Sequence, residues 1–176
     1  MVDRYWRDSW QRWNIWNAWT HKRSCILYFK KKYKSYISSD LYRKDVDHQF
    51  DIEEIPYPDN SFDLVFASHV LEYVKNDKKA INEIKRVLRP GGLAFLPVPM
   101  LHDKTIDFEE RPPNKRIIRE TGVDYFDRYR EIFTEVKVYD PSSFNEKFNL
   151  TIDMEDESST ERRMYQLPNL LPVCKA

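Results

Sequence analysis

The sequence predicts a single α/β domain built on a mostly parallel sheet, and three neighbouring segments carry that prediction. Residues 62–68, FDLVFAS, form a nearly continuous apolar run, which is typical of a strand covered on both faces. Residues 77–88 place apolar side chains at helical spacing, and residues 93–98, LAFLPV, form a second apolar run. Strand, helix and strand with short links make a βαβ unit, and 176 residues suit one domain of ordinary size.

Charge and cysteine content narrow the functional classes. The chain has 29 basic and 29 acidic residues, so a formal charge of zero favours neither nucleic acid nor a membrane surface as a partner. Cys25 and Cys174 match no metal or redox spacing, so we expect free thiols in a reducing compartment and no metal site. No apolar run is long enough to span a bilayer, and the first residues do not read as a secretory signal. We therefore expect a cytoplasmic protein without a transmembrane segment.

The beginning of the chain is rich in tryptophan. The five tryptophans are three or four residues apart: Trp6, Trp10, Trp13, Trp16 and Trp19. This spacing predicts a helix over residues 1–24, packed on an α/β domain of residues 25–176. The aromatic face is also a candidate homodimer interface. A membrane-interface helix and an aromatic lid over a ligand are the alternatives.

The strands predicted before residue 62 are short. Residues 25–29, CILYF, and residues 35–39 are rich in β-branched and aromatic side chains, and they predict two strands joined by a lysine-rich turn. A third short strand is predicted near residues 48–51. Prolines and small polar residues between 56 and 61 then supply the turn that precedes the apolar run.

Local signals bound the later elements. Asp77 is the predicted N-cap of the helix, and Pro90–Gly91–Gly92 is predicted to end it. Residues 100–120 are polar and contain prolines, which indicates a loop or lid. The remaining predicted elements are a helix at 124–133, an alternating strand at 134–140 and a last short strand at 170–174.

Polar residues close three successive strand candidates, where a parallel sheet binds ligands. Asp40 closes the second strand, and a carboxylate there can accept both hydroxyl hydrogens of a ribose. Asp51 closes the third and could accept from an exocyclic amine while the Ile52 N–H meets a ring nitrogen. Ser68 and His69 close the fourth and would face the reactive end of the same ligand. Each residue alone could be an ordinary turn or helix cap, but the ordered set favours a nucleotide-like ligand.

Three stretches carry a family resemblance: SYISSDLY at 35–42, DIEEIPYPDNSFDLVFASHVLEYV at 51–74 and KAINEIKRVLRPGGLAFLPVP at 79–99. Together they resemble the middle of a class I S-adenosylmethionine-dependent methyltransferase of the small-molecule type. A looser likeness continues to LLPVCK at residues 170–175. The resemblance implies a Rossmann-like methyltransferase fold, in which a mostly parallel seven-stranded sheet ends in an antiparallel strand.

The resemblance also implies S-adenosylmethionine as cofactor. By matching position, the implied cofactor-binding residues are Asp40, Leu41, Asp51, Ile52, Ser68 and His69. Asp40 would hold the ribose, and Asp51 with Ile52 would hold the adenine. Ser68 and His69 would lie near the methionine part.

The chain lacks the glycine-rich loop with which this family normally follows its first strand. Its three glycines are Gly91, Gly92 and Gly122, so the first ninety residues contain none. In addition, six residues separate the predicted strand at 25–29 from Tyr36, too few for a helical crossover. The sequence therefore predicts an abbreviated N-terminal part and a shortened cofactor pocket.

The predicted function is methyl transfer from S-adenosylmethionine to an unidentified small-molecule acceptor. His69 is the catalytic candidate; if the acceptor is a hydroxyl, His69 or His102 could serve as base. A catalytically inactive methyltransferase-like domain that serves as a binding or partner protein is the alternative. A third hypothesis assigns function to the Trp- and Lys-rich first 34 residues, docking to a membrane surface or nucleic acid.

Overall fold

The structure is a computed structural model, and it describes residues 14–18, 33, 35–140 and 170–176. The elements in chain order are β1 (Asn14–Ala18), β2 (Ser35–Asp40), β3 (His48–Gln49), β4 (Phe62–Ala67), α1 (Asp77–Val87), β5 (Leu88–Phe95), β6 (Ile106–Asp107), β7 (Arg119–Glu120), α2 (Tyr125–Arg130), β8 (Glu135–Tyr139) and β9 (Leu171–Lys175). No helix in these ranges is both long and apolar enough to cross a bilayer.

Seven strands form one sheet in the order β3-β2-β1-β4-β5-β9-β8. The pairs from β3 to β5 are all parallel, whereas β9 is antiparallel to both β5 and β8. Strands β6 and β7 form a separate antiparallel ribbon. The predicted fold class, a mostly parallel sheet with an antiparallel C-terminal strand, is confirmed.

The central strand β1 comes from the tryptophan-rich segment. The helix predicted over residues 1–24 is therefore wrong over Asn14–Ala18, which pair with β2 on one side and β4 on the other. The place beside β2 that was predicted for residues 25–29 is held by β1, and residues 25–29 themselves lie outside the described residues. The link from β1 to β2 spans residues 19–34, sixteen residues rather than six, which is long enough for a parallel crossover.

Trp16 explains why this strand lies in the middle of the sheet. Its side chain is fully buried, and its ring lies 5.6 Å from that of Phe50 and 6.1 Å from that of Phe62. The indole Nε1–H donates to Ser39 Oγ on β2 at 2.8 Å. The indole ring is therefore fully buried while its one N–H donor keeps a hydrogen-bond partner. The other four tryptophans lie outside the described residues.

Helix α1 packs one apolar face on the sheet. Ala80, Ile81, Ile84 and Val87 are buried, as their spacing predicts. The N-cap is Asn76, whose side chain accepts from the Lys79 N–H at 3.1 Å, rather than the predicted Asp77. The helix ends at Val87 and β5 begins at once, so Pro90–Gly91–Gly92 lie inside a strand whose pairing with β4 shifts register near Phe62.

Residues 99–124, which we call the cap segment, replace the predicted loop or lid with an ordered structure around β6 and β7. The Leu101 N–H donates to Thr121 O at 2.9 Å, and the Ile118 N–H donates to Glu72 O at 2.9 Å. A Cβ on Gly122 would lie 2.4 Å from the Lys104 carbonyl carbon, so only glycine fits there without displacing the backbone. The cap segment is thus held against the end of the sheet.

Arg119 connects the cap segment to the rest of the domain. It is 4% exposed, and its guanidinium donates to Leu71 O at 2.7 Å and to Asp107 at 2.5 Å. It also lies 3.3 Å from Asp77, the first residue of α1. Asp77 accepts in turn from the Tyr125 hydroxyl and from Arg128. One network of charges, buried at Arg119 and Asp77, therefore joins the start of α1, the cap segment and α2.

Trp16→Ala is expected to lower the free energy of unfolding by about 3–5 kcal/mol, because the cavity would lie at the centre of the sheet. Trp16→Phe should cost less, since it loses the hydrogen bond but keeps most of the packing. Tyr42→Ala is the matched control, because this aromatic residue is 81% exposed. Urea unfolding measures all three variants; a Trp16→Ala loss no larger than that of the control would contradict the central position of β1.

Arg119→Ala is expected to destabilise the fold by about 3–5 kcal/mol, because buried Asp77 loses an ion-pair partner and the carbonyls of Leu71 and Val74 lose a donor. Asp107→Asn should cost under about 1 kcal/mol, because the Asp107 side chain is 47% exposed and its ion pairs are partly screened. Denaturant titration of both variants checks the order. Equal losses would show that Arg119 acts only through Asp107.

Candidate functional site

The four acidic and polar positions predicted from sequence lie at one edge of the sheet. Asp40 is the last residue of β2, Asp51 lies two residues beyond β3, and Ser68 follows β4 directly, with His69 next to it. Strands β3, β2, β1 and β4 are consecutive and parallel, so their carboxyl ends face the same side. The fold brings these residues to the edge where ligands bind in such sheets.

Asp40 serves as a turn residue at the end of β2. Its Oδ1 accepts from the Tyr42 N–H at 2.7 Å and from the Arg43 N–H at 2.9 Å. Among the described residues, Oδ2 takes no hydrogen bond. The turn therefore fixes the direction of the carboxylate. Leu41, predicted beside it in the site, is 45% exposed at the same turn.

Asp51 and Ile52 are arranged in a similar way. Asp51 is exposed, and its Oδ1 accepts from the Glu53 N–H at 2.9 Å. The Ile52 side chain is buried in the core, which anchors its backbone. Within the described part of the chain the Ile52 N–H has no acceptor. A carboxylate beside an open N–H suits a ligand edge that offers one donor and one acceptor.

His69 has a strained backbone. Its φ of 54° lies in the left-handed region, which a histidine enters at a cost. Its N–H donates to Pro97 O at 2.9 Å, which ties the end of β4 to the chain leaving β5. Its Nδ1 lies 3.5 Å from Glu72 Oε1, which is longer than a hydrogen bond. Glu72 is 2% exposed, and in the described structure its Oε2 has no hydrogen-bond partner.

A second histidine–carboxylate pair lies in the cap segment. His102 Nε2 is 2.7 Å from Glu120 Oε2, and Lys115 Nζ contacts the other oxygen, Oε1. Burial of Glu120 would raise the pKa of its carboxyl, but the hydrogen bonds from Lys115 and His102 outweigh it and lower that pKa. Glu120 is therefore a charged acceptor at neutral pH.

Sequence reasoning identified His69 and His102 but missed their acidic neighbours. The three-residue spacing of His69 and Glu72 was a signal that could have been used. Glu120 had no such signal, because it lies eighteen residues after His102 and meets it only through the folding of the cap segment. Neither set makes a metal site: no group of three metal-binding side chains occurs among the residues described.

The hydrogen-bond acceptors and the one donor at this edge fit an adenosine group. The carboxylates of Asp40 and Asp51, with the open N–H of Ile52, match two ribose hydroxyls and the edge of an adenine. Residues 19–32, which follow β1 where a glycine loop would lie, are outside the described residues.

Comparison with known proteins finds similarity to methyltransferases. Residues 28–96 match a family described as a methyltransferase domain. The ubiquinone/menaquinone biosynthesis C-methyltransferase UbiE of Vibrio cholerae is 30% identical over 100 residues, 52% of this chain and 36% of that protein. The 27-O-demethylrifamycin SV methyltransferase of Amycolatopsis mediterranei is 37% identical over 95 residues, 48% of this chain and 35% of that protein. The chain thus spans about a third of these relatives, and less of others.

Solved structures show the same fold at low identity. A methyltransferase from Archaeoglobus fulgidus, dependent on S-adenosylmethionine, superposes with a TM-score of 0.63 at 12% identity, covering 98% of this chain and 90% of that one. The 1,6-didemethyltoxoflavin-N1-methyltransferase of Burkholderia thailandensis, with bound S-adenosylhomocysteine, gives 0.61 at 13% identity, covering 94% and 71%.

The sheet order and these likenesses define the fold of the class I S-adenosylmethionine-dependent methyltransferases. The match of residues 28–96 to a methyltransferase domain agrees with the resemblance seen in the sequence.

His69→Gly is expected to be more stable than His69→Ala by about 1 kcal/mol, because glycine adopts a positive φ without strain. At His48, in the extended strand β3, the alanine variant should instead be more stable than the glycine variant. Urea unfolding of the four variants measures the difference. The same order at both positions would contradict the left-handed conformation of His69.

Proposed function

We propose that the protein transfers a methyl group from S-adenosylmethionine to an acceptor molecule. The observation that carries the proposal is the ordered set of Asp40, Asp51, Ser68 and His69 at successive strand ends of a methyltransferase fold. This arrangement offers contacts along the whole length of an adenosine-containing cofactor, in the order of the sheet.

Each of these residues would contact a different part of the cofactor. Asp40 would accept from the ribose hydroxyls, because two N–H groups hold its Oδ1 and no described group donates to Oδ2. Asp51 would accept from the adenine amine, and the Ile52 N–H would donate to a ring nitrogen. Ser68 and His69 would contact the methionine part. When bound, the cofactor supplies a methyl carbon activated by the adjoining sulfonium, so alignment and exclusion of water are the protein's main tasks.

The comparisons support the reaction class but not one acceptor. The names of the relatives include a C-methyltransferase, an N-methyltransferase from Rauvolfia serpentina that acts on ajmaline, and the enzyme acting on 27-O-demethylrifamycin SV. Those acceptors differ in chemistry, so we propose no named acceptor on this basis. We also keep a cytoplasmic location and a homodimer through the tryptophan-rich segment as expectations.

Asp40→Asn is expected to weaken S-adenosylmethionine binding at least tenfold, because an amide cannot replace a charged acceptor for two hydroxyls. Titration calorimetry of S-adenosylmethionine and S-adenosylhomocysteine should give a micromolar Kd for the unaltered protein, about −8 kcal/mol. Asp45→Asn removes the same charge five residues away, from a side chain that is 48% exposed, and should leave binding unchanged.

Thermal unfolding without ligand shows whether either variant has lost its fold. Absence of heat with both ligands at millimolar concentration would contradict the proposal. That result would favour the alternative, a methyltransferase-like domain that binds a partner.

A further inference from the structure

Glu72 has one carboxylate oxygen without a hydrogen-bond partner in the described structure. Its side chain is 2% exposed, and Oε2 is buried and accepts from no described group. An acceptor in this state lowers stability, because it has lost its water and gained no donor. Among the described side chains, no other buried polar atom is left in this way. The orphaned oxygen indicates a place for a donor that a ligand brings.

The donors around Glu72 are directed elsewhere. The Ile118 N–H binds the backbone carbonyl of Glu72, and the buried guanidinium of Arg119 binds two other carbonyls and two other carboxylates. Burial raises the pKa of the Tyr129 hydroxyl well above its usual value, and nearby charges that include Glu72 raise it further. That hydroxyl donates to Leu96 O at 2.9 Å. None of these three donors is therefore available to Oε2.

Glu72 lies at the edge of the sheet that holds the proposed cofactor contacts. It comes four positions after Ser68, the first residue beyond β4, and its Oε1 lies 3.5 Å from Nδ1 of His69. The His69 N–H donates to Pro97 O, so the chain leaving β4 meets the chain leaving β5 here. The His69 side chain is 19% exposed, which makes Glu72 the more deeply buried of the two. A ligand group reaches Oε2 once the His69 ring moves, and no short hydrogen bond to Glu72 holds that ring.

The chemistry of this place favours a cationic nitrogen as the donor. A buried carboxylate binds an ammonium group more strongly than a neutral donor, because the hydrogen bond and the charge act together. The methionine part of S-adenosylmethionine carries such a group, its α-ammonium. Glycine lets a backbone carbonyl approach a ligand closely, but the first ninety residues contain no glycine. A side-chain acceptor is therefore favoured for the ammonium group.

We propose that Glu72 is a cofactor-binding residue whose Oε2 accepts from the α-ammonium group of S-adenosylmethionine. This inference rests on the proposed function and adds a residue that the pattern of strand ends did not include. Cofactor binding supplies both the donor and the counter-charge that Oε2 lacks among the described residues. Ser68 and His69 keep their proposed places beside the same part of the cofactor.

The test compares two ligands that differ only at this group: S-adenosylhomocysteine and its deaminated analogue, in which hydrogen replaces the ammonium group. Glu72→Gln keeps the size of the side chain and removes its charge. In titration calorimetry it should weaken S-adenosylhomocysteine binding at least about tenfold and change the Kd of the deaminated analogue less than about twofold. An effect on the fold or on His69 would weaken both ligands, so the comparison isolates the contact. Glu110→Gln, at an exposed side chain, should change neither Kd.

The outcomes separate this inference from the proposed function. A loss confined to S-adenosylhomocysteine supports the inference. Equal losses for both ligands, or no loss for either, show that it is wrong while the proposed function stands. If the unaltered protein binds neither S-adenosylmethionine nor S-adenosylhomocysteine, the proposed function fails and the inference falls with it.

Thermal unfolding without ligand shows whether Glu72→Gln folds. Should it not fold, the unaltered protein decides the question with the same two ligands. A Kd at least about tenfold lower for S-adenosylhomocysteine than for the deaminated analogue then supports the inference, and equal Kd values reject it.

Discussion

Hydrogen bonds on both edges of β1 determine the geometry of the candidate site. This strand of five residues lies between β2 and β4, so the ends of those strands, Asp40 and Ser68, are placed relative to each other through it. Trp16 fixes the register, because a slip of one residue would turn the buried indole to the opposite face and separate it from Ser39. The separation of Asp40 from Ser68 thus depends on one side chain in the core.

The elements that sequence predicted well are those whose own residues carry the signal. Strand β4 and helix α1 were found because an apolar run and a helical period are local properties. Strand β1 was missed because tryptophans three residues apart imitate a helical face, while Asn14–Ala18 have no local pattern of a strand. Its conformation comes from pairing with strands that begin 17 residues or more beyond its end.

The candidate site likewise contains residues that sequence could place and residues that it could not. Asp40, Asp51 and Ser68 could be placed from sequence, because the carboxyl ends of parallel strands always share one edge. Glu120 could not, because its partnership with His102 is created by the cap segment and by the close approach of Gly122 to Lys104. The position of a residue directly after a strand follows from the position of that strand. Contacts between residues far apart in a long connection depend on how that connection folds.

The position of β9 imposes an order on assembly. Among the described strands, β8 pairs with β9 alone. Strand β9 lies between β8 and β5 and follows β8 after 31 residues, 140–170. During synthesis β8 leaves the ribosome first, yet its native partner strand is missing until residues 171–175 have been made. Its apolar face, with Val136 and Val138, is uncovered during that interval. Any slowing of translation between residues 140 and 170 would therefore lengthen the time for which β8 lacks its partner strand.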